Sequence, residues 1–134
     1  MRELQIFVTG TQFEQVVSEL GLFFGVEEFL KNKGKSDPLE FYMNDIAVGI
    51  QQYHPYDDDR DLDFSNYEIF ISLRALNYRS KINSYHDMFE AVGRYLTEKI
   101  SSTLTCKTML VQDIQIKLAT WETGKVTFTH ESKR

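Results

Sequence analysis

Apolar and polar positions along the chain change period several times, and each change predicts an element. Leu4, Ile6 and Val8 alternate with Gln5, Phe7 and Thr9, a half-buried strand that ends at Gly10. Thr11-Gln12-Phe13-Glu14 fits a capping box, with Thr11 as the cap and Glu14 reaching back. Phe13, Val16, Val17 and Leu20 then share one helical face. Gly21 is a natural end for this helix, and Leu22 to Leu30 reads as a second short helix running up to Gly34. A single helix through Gly21 and Gly25 is the alternative, at roughly 1 kcal/mol per glycine. Ser36-Asp37-Pro38 breaks the pattern, and residues 39–43 and 46–53 read as a hairpin around Asn44-Asp45.

Tyr67, Ile69, Ile71 and Leu73 alternate with Glu68, Phe70, Ser72 and Arg74, and the apolar character of both sets predicts a central strand. A basic, polar connection over residues 77–83 follows. The longest helix comes next, with Tyr85, Met88, Phe89, Val92, Leu96 and Ile100 as its core face. Residues 106–111 read as a strand, and Ile114, Ile116 and Leu118 alternate as another, although a short helix over 113–121 fits as well. Thr123-Gly124-Lys125 turns the chain into Val126, Phe128 and His130. The expected fold is α+β: a two-layer sandwich with a mostly antiparallel sheet of five to six strands and two or three helices on one face.

Composition is consistent with one domain over residues 1–134, with 42% hydrophobic residues and ten Phe and seven Tyr for a core. No apolar run has signal-peptide or membrane-spanning length, which predicts a cytoplasmic protein without membrane attachment. Cys106 is the one cysteine, so neither an internal disulfide nor a cysteine-based metal site is available.

Charge changes the picture more. The window His54 to Glu68 holds Asp57, Asp58, Asp59, Asp61, Asp63 and Glu68 against Arg60, six negatives less one positive, which equals the whole chain's net charge of −5. The remainder is neutral in sum. Such a chain is a poor ligand for nucleic acid or anionic lipid and a better one for a basic protein. An acidic mimic of DNA would need carboxylates along an extended stripe, and the neutral remainder opposes that.

The acids also have a metal-like spacing. With Asp57 as position 1, Asp59, Asp61 and Asp63 fall at 3, 5 and 7 and Glu68 at 12, close to a calcium loop; Asp57, Asp59, Asp61 and Glu68 are the ligands of that alternative reading, a calcium- or metal-binding protein or metal-dependent enzyme. Leu62 stands where such a loop needs a sharp turn, Pro55 precedes it and a strand follows it, so the flanking helices are missing. His54, His86 and His130 are scattered, without the spacing of a zinc site. Cys106 has no glycine-rich elbow or helix N-terminus to activate it, and no phosphate-binding or nucleophile-elbow motif is present. The expectation is therefore no catalysis and no cofactor.

The third use of the window is as a binding epitope. Tyr53, Tyr56, Phe64 and Tyr67 interleave with the carboxylates, and Trp121 is a candidate neighbour. Aromatic rings supply rigid contact area, and clustered acids steer a basic partner. The Asp-rich window, the strand Tyr67-Glu68-Ile69-Phe70-Ile71-Ser72-Leu73 and the helix and strand over 85–111 resemble the small acidic immunity proteins that bacteria encode beside polymorphic toxins. The likeness covers about half the chain, and no residue is carried over as a family site. It implies a cytosolic, non-enzymatic inhibitor of a cognate toxin. In that reading Asp57, Asp58, Asp59, Asp61 and Asp63 pair with the partner's Lys or Arg, while Tyr53, Tyr56 and Tyr67 are the anchors. The basic segment Tyr78-Arg79-Ser80-Lys81 is the candidate for a second epitope.

Overall fold

The computed structural model describes residues 3–25, 39–43, 46–76 and 83–130. In chain order the elements are β1 (Glu3–Thr9), α1 (Phe13–Phe24), β2 (Leu39–Met43), β3 (Ile46–Gln51), β4 (Ile69–Ala75), α2 (Asn83–Thr103), β5 (Lys107–Gln112), β6 (Ile116–Glu122) and β7 (Lys125–Thr129). They form an α+β fold with one antiparallel sheet, ordered β2-β3-β4-β1-β5-β6-β7. Seven strands replace the five to six expected. The strand reading of 113–121 prevails over the helix because Asp113 and Ile114 both take left-handed φ values, +51° and +58°. The Gln115 N–H then donates to the Gln112 carbonyl at 2.9 Å and folds β6 back on β5. The expected continuation beyond Gly25 to Leu30, the Asn44-Asp45 turn and the segment 77–82 lie outside the described residues.

Leu4, Ile6 and Val8 face α1 and α2 together with Ile69, Ile71, Leu73 and Leu110, and this is the larger core. Yet β1 is not half-buried as its alternation predicts. Gln5 and Phe7, on the other face, are also fully buried. As the middle strand it is flanked on both edges, and part of its second face is covered by the loop between β3 and β4. Helix α1 starts one residue later than expected: Gln12 is the cap, and the Gln15 side chain, not Glu14, reaches back to the Gln12 N–H at 3.5 Å and accepts the Thr11 hydroxyl at 2.7 Å. The helix continues through Gly21 and stops at Gly25, which takes the left-handed conformation at φ +69°.

Helix α2 departs from its apolar pattern. Met88 is 58% exposed, while Gly93, Thr97 and Ser101 are buried beside Phe89, Leu96 and Ile100. Small residues let the helix approach the sheet so closely that a Cβ on Gly93 would lie 2.6 Å from Leu4 Cδ1. The buried hydroxyls are satisfied: Thr97 donates to the Gly93 carbonyl at 2.6 Å, and Ser101 donates to the Cys106 carbonyl at 2.7 Å while accepting the Gly124 N–H at 2.9 Å. Strand β7 is exposed along its length, and Arg94 ties its end to α2 through the Thr129 hydroxyl and the His130 carbonyl. No helix among the described residues is long and apolar enough to cross a membrane.

Candidate functional site

The acidic window folds down onto the sheet face opposite the helices. Leu62, Phe64 and Tyr67 are set among charged and polar residues and carry the apolar side chains of the loop. They join Phe7, Phe70, Met109 and Val111 in a second, smaller core. Phe7 is its centre, with ring centroids 4.7 Å from Phe64, 5.2 Å from Phe70 and 5.2 Å from His54.

Polar contacts then set the backbone of the loop. His54 Nε2 lies 3.0 Å from the Phe64 carbonyl and 2.9 Å from the Tyr67 carbonyl, so this nitrogen must carry the proton. The other ring nitrogen, Nδ1, accepts the Tyr56 N–H at 3.2 Å. Asp59 and Leu62 exchange both backbone hydrogen bonds, at 3.0 and 2.8 Å, and close a turn in which Arg60 has φ +56°. The sharp turn therefore falls at Arg60, which leaves Leu62 free to be buried. Both oxygens of Asp58 are taken by Ser65, through the backbone N–H and the hydroxyl, and these bonds hold its carboxyl below the usual aspartate range. Asp63 accepts from Asn66 Nδ2 at 2.9 Å.

The alternate aspartates do not converge as a calcium loop requires. Asp58 and Asp63 are turned to donors of the loop itself, and among the described residues no three His, Cys, Asp or Glu side chains gather around a point that would hold a cation. What results is a charged outer surface. Asp57, Asp58, Asp59, Asp61 and Glu68 are exposed, and Asp63 is half-buried.

The aromatic residues separate into two groups. Tyr53 is 73% exposed, whereas Tyr67 is 3% exposed and its hydroxyl is pushed above the ordinary tyrosine range, first by burial and then by Asp63 and Glu122. Tyr56 is half-buried against Phe70 and Phe64 and is raised too, chiefly by burial. Trp121 lies on the helix side of the sheet, in the larger core, away from the acids. Next to the loop, a cleft of about 290 Å³ opens between Tyr53, Glu68 and the first turn of α1 at Gln12 and Glu14. Its two carboxylates favour a cationic occupant.

Two features escape sequence reasoning. His54 reads as an unremarkable histidine because its ring partner, Phe7, lies in a distant strand. The buried role of Phe64 and Leu62 is hinted at only by two apolar residues inside a run of acids. Cys106 is buried, and burial pushes its thiol up to about 11, as expected of a core residue rather than a nucleophile. No protein-family model matches this chain, and no curated protein or solved structure is significantly similar to it.

Proposed function

We propose that this protein is a non-catalytic binding module whose acidic loop docks a basic protein partner, and that its role is that of a cytoplasmic immunity protein neutralising a bacterial toxin. The observation that supports this reading is preorganisation. The exposed acids are displayed on a backbone that Leu62, Phe64 and His54 hold against the sheet, so little loop ordering remains to be done on binding. Asp57, Asp59 and Asp61 present their charge outward, and Asp58 and Asp63 brace the loop while adding to the field. Tyr53 is the exposed aromatic anchor, and the adjoining cleft with Glu14 and Glu68 receives a Lys or Arg side chain of the partner. Tyr67 acts from beneath, as support for the loop.

The test is binding to the product of the neighbouring reading frame, measured kinetically at low and physiological salt. The purified chain is expected to bind it, and replacing Asp57, Asp59 and Asp61 by Asn should slow association by ~10-fold or more at low salt, with a smaller effect at high salt. Absence of binding at low salt, or binding indifferent to the triple replacement, refutes the reading.

A further inference from the structure

The two ring nitrogens of His54 hold the two ends of the acidic loop, and they hold them differently. Nε2 faces the Phe64 and Tyr67 carbonyls at 3.0 and 2.9 Å, where the loop runs into β4. Nδ1 faces the Tyr56 N–H at 3.2 Å, where the acids begin. Acceptors on one side draw the single proton of the neutral ring to Nε2, and a donor on the other requires a lone pair on Nδ1. The closed loop is thus built around a neutral imidazole of one tautomer.

A second proton has no acceptor in this arrangement. It would sit on Nδ1 and meet the Tyr56 N–H, donor against donor. The chain between them has little room to adjust, because the intervening residue is Pro55, whose ring fixes φ near about −65°. The other nitrogen responds in the opposite sense. The Nε2–H of an imidazolium is a charge-assisted donor, and its bonds to the two carbonyls strengthen. Protonation therefore releases one end of the loop and tightens the other.

The surroundings do not remove this conflict. Strands β1 and β4 present Phe7 and Phe70 to the ring, with centroids at 5.2 and 6.5 Å. The loop contributes Phe64, Tyr56 and Tyr67, and burial raises both tyrosine hydroxyls, so neither ionises near neutral pH. Glu3 acts on Tyr56, Asp63 and Glu122 act on Tyr67, and Lys107 stands over the Tyr67 ring. Asp58 is the carboxylate whose charge reaches the imidazole, but both its oxygens are taken by Ser65. His54 is half-buried, so a proton reaches it from solvent. The residue set free is Tyr56, whose ring rests on Phe70 and Phe64 at 5.5 and 5.7 Å and whose backbone leads directly into Asp57, Asp58 and Asp59.

We propose that His54 is an acid-sensitive latch: near neutral pH it pins Tyr56 to the smaller core, and its protonation between pH 7 and 5 releases Tyr56 and the head of the acidic run while the Phe64–Tyr67 end stays anchored. The acidic surface is then complete near neutrality and loosened at mildly acidic pH. The latch belongs to the chain itself and does not rest on any partner. Its direction follows from the proton count, since the closed form keeps the ring neutral and the released form takes up one proton; release is favoured by up to about tenfold per pH unit as pH falls.

The test is an NMR titration of the ¹⁵N-labelled free chain from pH 7.5 to 5. At pH 7.5 the His54 ring should carry its proton on Nε2. The Tyr56 N–H should lose protection by about tenfold or more between pH 6.5 and 5, along the same curve as the His54 ring signals. The Leu62 and Tyr67 N–H groups, which donate to the Asp59 and Phe64 carbonyls, should keep theirs. His86 on α2 and His130 beyond β7 titrate in the same samples and serve as comparisons. His54→Gln keeps a donor and an acceptor but does not titrate, and its Tyr56 protection should not change over this interval. Tyr56 protection that persists while His54 titrates overturns the latch, as does a Tyr56 curve that follows His86 or His130. So does joint loss of protection at Leu62 and Tyr67, which means the loop opens as one unit, and so does a ring that carries its proton on Nδ1 at pH 7.5 or takes up none above pH 5. The wild-type titration decides even if the variant does not fold.

Discussion

Asp58 and Ser65 form a closed pair at the tip of the acidic loop: the Ser65 N–H donates to one carboxylate oxygen at 2.7 Å and the Ser65 hydroxyl donates to the other at 2.8 Å. An acid that looks like one of five interchangeable surface charges thus organises the backbone that displays the others. Because these bonds favour the ionised form, the folded-state value of Asp58 is lowered below the ordinary 3.8. The sign follows: the contribution is complete above the unfolded value and is lost as pH falls through the lower folded one. Protection factors over residues 57–66 should fall as pH drops below 4, and Ser65→Ala, which removes the hydroxyl bond but keeps the backbone one, should lower them in part already at neutral pH. Equal protection in both proteins at pH 7 would show that the pair does not hold the loop.

His54 has the larger structural role. Its ring donates one N–H shared between two loop carbonyls and accepts one loop N–H, at about 1 kcal/mol each net, so His54→Ala should destabilise the protein by about 2 kcal/mol. Urea unfolding checks the magnitude. Near-neutrality would mean that water replaces the ring without loss.

Tyr67 predicts the opposite pH limit. Burial raises its hydroxyl above the ordinary tyrosine value of 10.0, so the neutral form is favoured in the fold. Stability from this group is complete below pH 10 and declines as pH rises beyond it, since the unfolded chain loses the proton first. Tyr67→Phe should therefore narrow the alkaline loss of thermal stability, while leaving partner association unchanged if Tyr53 is the exposed anchor. A variant that denatures at the same alkaline pH as the parent contradicts this.

Gly93 sets the spacing of α2 on the sheet. Gly93→Ala should gain about 1 kcal/mol of helix propensity but lose about 1–3 kcal/mol to overpacking against the fully buried Leu4, for a net loss of up to about 2 kcal/mol. In a double-mutant cycle with Leu4→Ala, the cost of the added methyl should disappear. Additive effects would place the clash elsewhere.

Cys106 should be inert in the folded chain. With its thiol at about 11 and its side chain buried, alkylation at pH 8 is expected only after denaturant unfolds the protein. Rapid native-state labelling, followed by mass, would require an opening that the packing gives no sign of.

Much of the secondary structure is legible locally. The two-residue alternation of Ile69, Ile71 and Leu73 and the helical spacing of Phe89, Leu96 and Ile100 are short-range signals, and they hold in the fold. Where local rules mislead, a distant partner intervenes. Met88 fits the apolar stripe of α2 yet is exposed, because the sheet meets the face carrying Gly93, Thr97 and Ser101; the Thr97 hydroxyl is satisfied within the helix, but that of Ser101 finds its partners only after Cys106 and the β6–β7 turn are in place.

The acidic window shows the same division. Sequence by itself determined its charge, its concentration in fifteen residues and the absence of a neutralising run elsewhere, all of which are sums over residue types. Only the tertiary structure decided which side chains point inward, since period and spacing say nothing about a loop without regular geometry. Phe7, Phe70 and Met109 come from three strands to form the surface on which Leu62, Phe64 and Tyr67 are buried. The bond from the Ile114 N–H to the Gln5 amide oxygen is likewise invisible until β1 meets the β5–β6 turn. Burial and hydrogen-bond satisfaction are properties of neighbours in space, and the order of residues along the chain does not contain them directly.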